Sequence, residues 1–75
     1  MTFKIFKAFP PDRDSPVAEL CVLHDGLIDI PADIYREKGE LRITLFARQG
    51  GAAWDYPVEE FLEAVQRGVE RLGEG

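Results

Sequence analysis

Along the chain, apolar positions recur first with the period of strands and then with that of a helix. "TFKIFKAF" (2–9) is rich in aromatic and aliphatic residues and stops at Pro10-Pro11, which lack the N–H a ladder needs. It predicts a first strand. Its alternation slips between Ile5 and Phe6, so the strand either carries a bulge or has both faces partly covered. "PPDRDSP" (10–16) follows as a polar loop.

"VAELCVLHDGLIDI" (17–30) holds two β-rich runs joined by Asp25-Gly26, the pair favoured by a type I′ turn because both central residues take positive φ. This predicts a hairpin, 17–24 against 27–30. Pairing outward from the turn sets His24 opposite Leu27, Leu23 opposite Ile28, Val22 opposite Asp29 and Cys21 opposite Ile30. Cys21, Leu23, Ile28 and Ile30 are expected to form the core face, while Leu20, Val22, Leu27, His24 and Asp29 form the other.

"PADIYREKGE" (31–40) has a proline where a helix could begin and Gly39 where one could end, which predicts one or two helical turns. "ELRITLFAR" (40–48) alternates as a half-buried strand, with Leu41, Ile43, Leu45 and Ala47 on one face and Arg42, Thr44, Phe46 and Arg48 on the other. After the turn at "RQGGAA", a short strand carries Trp54 and Tyr56. With two or four loop residues those aromatics join the Leu45 side and enter the core; with three they join Phe46 outside.

"PVEEFLEAVQRGVERLG" (57–73) spaces Val58, Phe61, Leu62, Val65, Val69 and Leu72 as one apolar stripe, which predicts an amphipathic helix over 57–72. Gly68 lies on the same face, where it lowers helix propensity by about 1 kcal/mol but permits a close approach to whatever the helix covers. Residues 73–75 are expected to fray.

These elements make an α+β fold: a small antiparallel sheet of four or five strands with the C-terminal helix packed on one face. Seventy-five residues form a single domain, 1–75, of limited stability. The lone cysteine, Cys21, leaves no internal disulfide, and no cysteine or histidine cluster suits a metal ion. Two lysines interrupt the apolar N-terminus and no apolar run approaches about 18 residues, so neither a signal peptide nor a membrane span is predicted. A reducing cytoplasm is the expected compartment.

The net charge is −5, and its placement matters more than its total. Residues 17–40 carry −4 and 57–75 carry −3, against +1 in each of the segments 1–16 and 41–56. Such a surface repels nucleic acid and attracts basic protein patches.

Catalytic candidates are few. His24 lies diagonal to Asp29 in the expected register, which an acid–base pair would require, but a solvated cross-strand pair at the hairpin tip accounts for it more simply and no nucleophile sits at a recognisable spacing. Cys21 is expected in the core, where a thiol acts as a small apolar filler. Asp25, Asp29 and Asp33 recur every four residues, yet the turn and Pro31 interrupt them and no calcium-loop pattern follows. "QGGAAW" lacks the spacing and lysine of a phosphate-binding loop. No catalytic residue, metal or cofactor is therefore assigned.

"GLIDIPADIYREKG" (26–39) is similar to the glycine, strand, Ile-Pro, acidic residue, Ile and closing-glycine string of the AbrB/MazE swapped-hairpin domains, which are dimeric transition-state regulators and antitoxins. It spans 14 residues. Glu40 leads directly into "LRITLF", where that family carries a further Gly-Asp turn, and Leu27 stands where the family usually has a basic residue. The resemblance implies a homodimer without the DNA-binding features.

Two functional expectations follow. One is a non-catalytic protein-binding module, of inhibitor, immunity or antitoxin type, whose acidic surface engages a basic protein. Its contact residues would be Glu59, Glu60, Glu63 and Glu70 on the helix, Asp25, Asp29 and Asp33 in the middle segment, and Phe46, Trp54 and Tyr56 as aromatic anchors. The alternative is a homodimeric regulatory or structural domain that pairs a strand edge or shares the "GLIDIP" hairpin. Neither involves a membrane or direct contact with nucleic acid.

Overall fold

The computed structural model describes residues 2–74, apart from the side chains of His24 and Gln49. Two tight turns build most of the sheet. Asp25 (φ 48°) and Gly26 (φ 74°) join strand β2 (Val17–His24) to β3 (Leu27–Glu37), and Lys38 (φ 52°) and Gly39 (φ 80°) join β3 to β4 (Glu40–Leu45). Positive φ at both central residues is the requirement of a type I′ hairpin, whose twist matches that of its strands. With β1 (Thr2–Ala8) antiparallel to β2, the four strands form a meander in the order β1-β2-β3-β4.

The short helix expected over 31–37 is instead the second half of one long strand. Gly39 does supply a left-handed residue, but for a hairpin turn rather than a helix end. Pro31 sits inside β3 where the register slips: Leu20 pairs with Ala32 and Val22 with Asp29, so Ile30 and Pro31 together oppose Cys21. A bulge accommodates a residue with no N–H to give, and the Pro31 carbonyl still accepts from the Phe46 N–H at 2.9 Å.

That bulge, with the helix above it, also decides which face is the core. Near the turn the expected pairs form, His24 with Leu27, Leu23 with Ile28 and Val22 with Asp29. The expected faces are reversed, however. Leu20 and Val22 face the helix and are buried, whereas Leu23, Ile28 and Ile30 are exposed. Both faces of β2 are apolar, so alternation alone could not choose between them. β1 pairs with β2 in unbroken register without a bulge; Phe3 and Ile5 point to the core and Phe6 stays half exposed.

Helix α1 (Val58–Gly73) crosses β1, β2 and β3. It begins after Pro57, whose carbonyl accepts from Phe61 N–H at 3.0 Å, and Glu59 and Glu60 complement the dipole in its first turn. At its end, Glu74 N–H donates to the Arg71 carbonyl at 3.2 Å and Lys7 donates to the Glu74 carbonyl; Gly75 lies outside the described residues. The core joins Phe3, Ala18, Leu20, Val22, Ala32 and Ile34 of the sheet to Ala64 of the helix. No helix is long and apolar enough to cross a membrane.

Alanines at 18, 32 and 64 and glycine at 68 draw helix and sheet together. A β-carbon added at Gly68 would lie 2.8 Å from Ile34 Cδ1 and 3.3 Å from Leu20 Cδ2. Overpacking of this kind costs about 1–3 kcal/mol, against a helix-propensity gain of about 1 kcal/mol for alanine. Gly68→Val, which gains less propensity and adds more volume, is expected to lower the free energy of unfolding by about 2 kcal/mol or more. Urea denaturation checks this: a variant as stable as the parent would mean that the helix does not sit this close.

Candidate functional site

An apolar concavity lies where the C-terminal end of β4 meets the start of α1. Residues 46–57, expected to include a short strand, turn at Gln49–Gly51, where Gly50 (φ 85°) and Gly51 (φ 75°) take positive φ, and otherwise run without a regular ladder. This segment folds back beside β4. Trp54 Nε1–H donates to the Phe46 carbonyl at 2.7 Å, and Arg48 lies over the indole ring at 5.1 Å. Trp54 then stacks on Tyr56 (5.9 Å, 18°), and Tyr56 on Phe61 (6.0 Å, 6°).

The two aromatics therefore share one side of the chain but not one role. Tyr56 meets Phe3 edge-on at 5.2 Å and belongs to the rim of the core, whereas Trp54 is half-buried at the outer end of the stack. Trp54, Tyr56, Pro31, Leu45, Val58, Phe61 and Leu62 line a groove of about 290 Å³. Leu45, Val58 and Leu62 retain 66, 70 and 59 % of their surface. Val58 and Leu62 were expected in the core as part of the helix stripe, but the helix covers only three strands and leaves these two over the groove.

The acidic residues fall into two groups. By the helical repeat, Glu59, Glu63 and Glu70 run along the exposed crest of α1, with only Glu59 at the groove's end of the helix. Glu70 lies near Ile5, Arg67 and Arg71 toward the far end of the helix, and Glu60 and Glu63 lie toward β1, where they and Arg67 surround a shallow pocket with Thr2 and Phe3. Arg67 donates there to the Phe3 carbonyl at 3.0 Å. Asp29 is on the helix side of β3, and its charge is one cause, after burial, that raises the Tyr56 hydroxyl above its ordinary pKa. Asp25 stays at the hairpin turn, and Phe46 is exposed just past β4.

Asp33 belongs to the opposite face, away from the groove. From loop 9–16, Arg13 reaches over that face, 4.1 Å above the ring of buried Tyr35, whose hydroxyl accepts from Thr44 Oγ1 at 3.2 Å. Cys21 is buried there too rather than under the helix, and burial raises its thiol pKa, so it remains protonated near neutrality. The His24 side chain, and with it any pairing to Asp29, lies outside the described residues. Among those residues no group of His, Cys, Asp and Glu could hold a metal ion.

No protein family, curated protein or solved structure matches this chain. Of the residues that form the groove, the sequence singled out Trp54 and Tyr56. It missed Pro31, Leu45, Val58 and Leu62, because each reads as an ordinary turn or core position until the width of the helix contact is known.

Asp33 generates a prediction of its own. Burial, then the facing Glu19, raises its carboxyl pKa against the opposing pull of Arg13, and its Oδ1 is buried with no hydrogen-bond partner. A carboxyl raised in the folded state contributes its stability fully below its unfolded pKa of about 4 and loses it as pH rises through the folded value. Asp33→Asn is therefore expected to raise Tm at pH 7, with the advantage shrinking toward pH 4. An equal difference in Tm at both pH values would rule this account out.

Proposed function

We propose that this chain is a non-catalytic protein-binding module, and that its groove receives an apolar side chain from a basic segment of another protein. The observation that carries this reading is the groove itself: a largely apolar lining, three exposed aliphatic side chains and a half-buried tryptophan, at the end of the helix where Glu59 follows Val58. An apolar anchor point with charged residues around it is how many protein surfaces combine affinity with steering. Inhibitor, immunity and antitoxin proteins that neutralise a basic partner would use such a surface. The buried lone thiol suits a reducing, cytoplasmic setting.

The acidic contact set narrows accordingly. Glu59 stands at the groove's end of the helix and Asp29 near Tyr56; Glu60 and Glu63 lie toward β1, Glu70 toward the far end of the helix, and Asp33 on the opposite face of the sheet.

An amphipathic peptide of alternating leucine and lysine is a suitable probe, with its leucine–glutamate counterpart as control. The cationic peptide is expected to shift Trp54 emission and to bind at least tenfold more tightly than the control. Leu62→Ser, which leaves the charge unchanged, should weaken that binding about tenfold, and Glu59→Lys with Glu63→Lys should weaken it further and remove its salt dependence. Binding that ignores Leu62→Ser would reduce the interaction to charge alone and overturn the groove as a site.

A further inference from the structure

We infer that β4 is a self-association edge: two copies of this chain pair their β4 strands antiparallel about a two-fold axis at Ile43, joining two four-stranded sheets into one of eight. The inference concerns the apolar face that also carries the groove, since Leu45 belongs to both, but its test reads oligomeric state and strand protection rather than peptide binding.

The two edges of the sheet are treated differently. On β1, Arg67 donates to the Phe3 carbonyl, Lys7 donates to the Glu74 carbonyl, and Lys4 and Pro10 discourage a further strand. β4 has six residues in unbroken register with β3, with no proline, lysine or bulge. Such an edge is an open template for another strand.

Its hydrogen-bonding phase is fixed. In an antiparallel ladder, bonded and non-bonded pairs alternate, and the pair closing a two-residue turn, Glu37 with Glu40, is bonded. Arg42 and Thr44 then bond to β3, as does Phe46 through its N–H to Pro31, and the backbone groups of Leu41, Ile43 and Leu45 face outward.

Centring the two-fold axis on Ile43 sets Ile43 opposite its own copy and Leu41 opposite Leu45 of the other chain. All three outward residues on each strand then exchange bonds. Parity keeps the aliphatic side chains on one face, continuous with the helix side of both sheets. Arg42 falls opposite Thr44 and Glu40 opposite Phe46. Centring on Arg42 instead would oppose two arginines and leave Leu45 unpaired, and centring on Thr44 would lose Leu41.

The side chains also call for cover. Leu41, Ile43 and Leu45 keep 44, 43 and 66 % of their surface on the side where α1 stops short. With Val58 and Leu62 they make five exposed aliphatic residues on the helix side of the sheet, the kind of surface that marks an interaction site. Pairing of β4 with a second copy brings six aliphatic side chains together between the two helices, a self-complementary arrangement that only an isologous contact provides.

The test is sedimentation velocity from about 1 to 100 µM under reducing conditions, together with amide hydrogen exchange. The expected result is a species of twice the 8.5 kDa chain mass and protection of the Leu41, Ile43 and Leu45 amides that is lost on dilution. Ile43→Lys, which opposes two lysines across the axis, should give a monomer in which those three amides exchange freely while the β1 and β2 amides stay protected. Should that variant unfold, Leu45→Lys, at a position that keeps 66 % of its surface, serves the same purpose by placing a charge in the paired face. A parent chain that is monomeric at 100 µM, or a dimer in which these three amides remain unprotected, overturns the inference.

Discussion

The seating of α1 on the sheet is the constraint on which the other features depend. Ala18 and Ala32 beneath the helix and Ala64 and Gly68 within it remove the side-chain volume that would otherwise hold the two layers apart. Close approach lets Leu20, Val22 and Ile34 pack directly against the helix, and it is paid for in helix propensity at Gly68. A seat this specific also fixes the lateral position of the helix, over β1, β2 and β3 and not over β4.

The uncovered strand follows from that position. One helix is about 10 Å wide and adjacent strands lie about 4.8 Å apart, so a single helix covers two or three strands of a four-stranded sheet. With Arg67 and Lys7 holding the helix side toward β1, the strand left over is β4. Its aliphatic face and the flank of the helix then form two walls of a trough. The returning segment through Trp54 and Tyr56 closes the end of that trough and turns it into a groove. The apolar surface and the aromatic stack are thus products of one packing decision.

Charge is organised around the same layers. The helix crest is acidic and solvated, while the far face of the sheet holds Glu19 and Asp33 directly opposite each other, with Arg13 brought over them by the proline-rich loop. Like charges facing across a ladder oppose folding, and the loop offsets part of that cost by placing a guanidinium over Tyr35. The loop that reads as a mere connection thus contributes to the far face, where Val17, Cys21 and Tyr35 are buried, by laying Arg13 over Tyr35.

The sequence by itself determined the class of fold, the Asp25-Gly26 hairpin, the long helix and the close approach at Gly68, because each rests on local chemistry: φ at a turn, the helical period, a missing β-carbon. It also marked Trp54 and Tyr56 as the aromatics to watch. Other features were settled only in three dimensions. The strand through 31–37 prevailed over a helical start because Pro31 could be placed at a bulge and Lys38-Gly39 could form a second tight turn. The face of β2 that became the core was chosen by the helix, since both faces are apolar. Val58 and Leu62 stood in the helix stripe like any core residue, and only the width of the sheet against the width of one helix left them, with Leu45, at the surface.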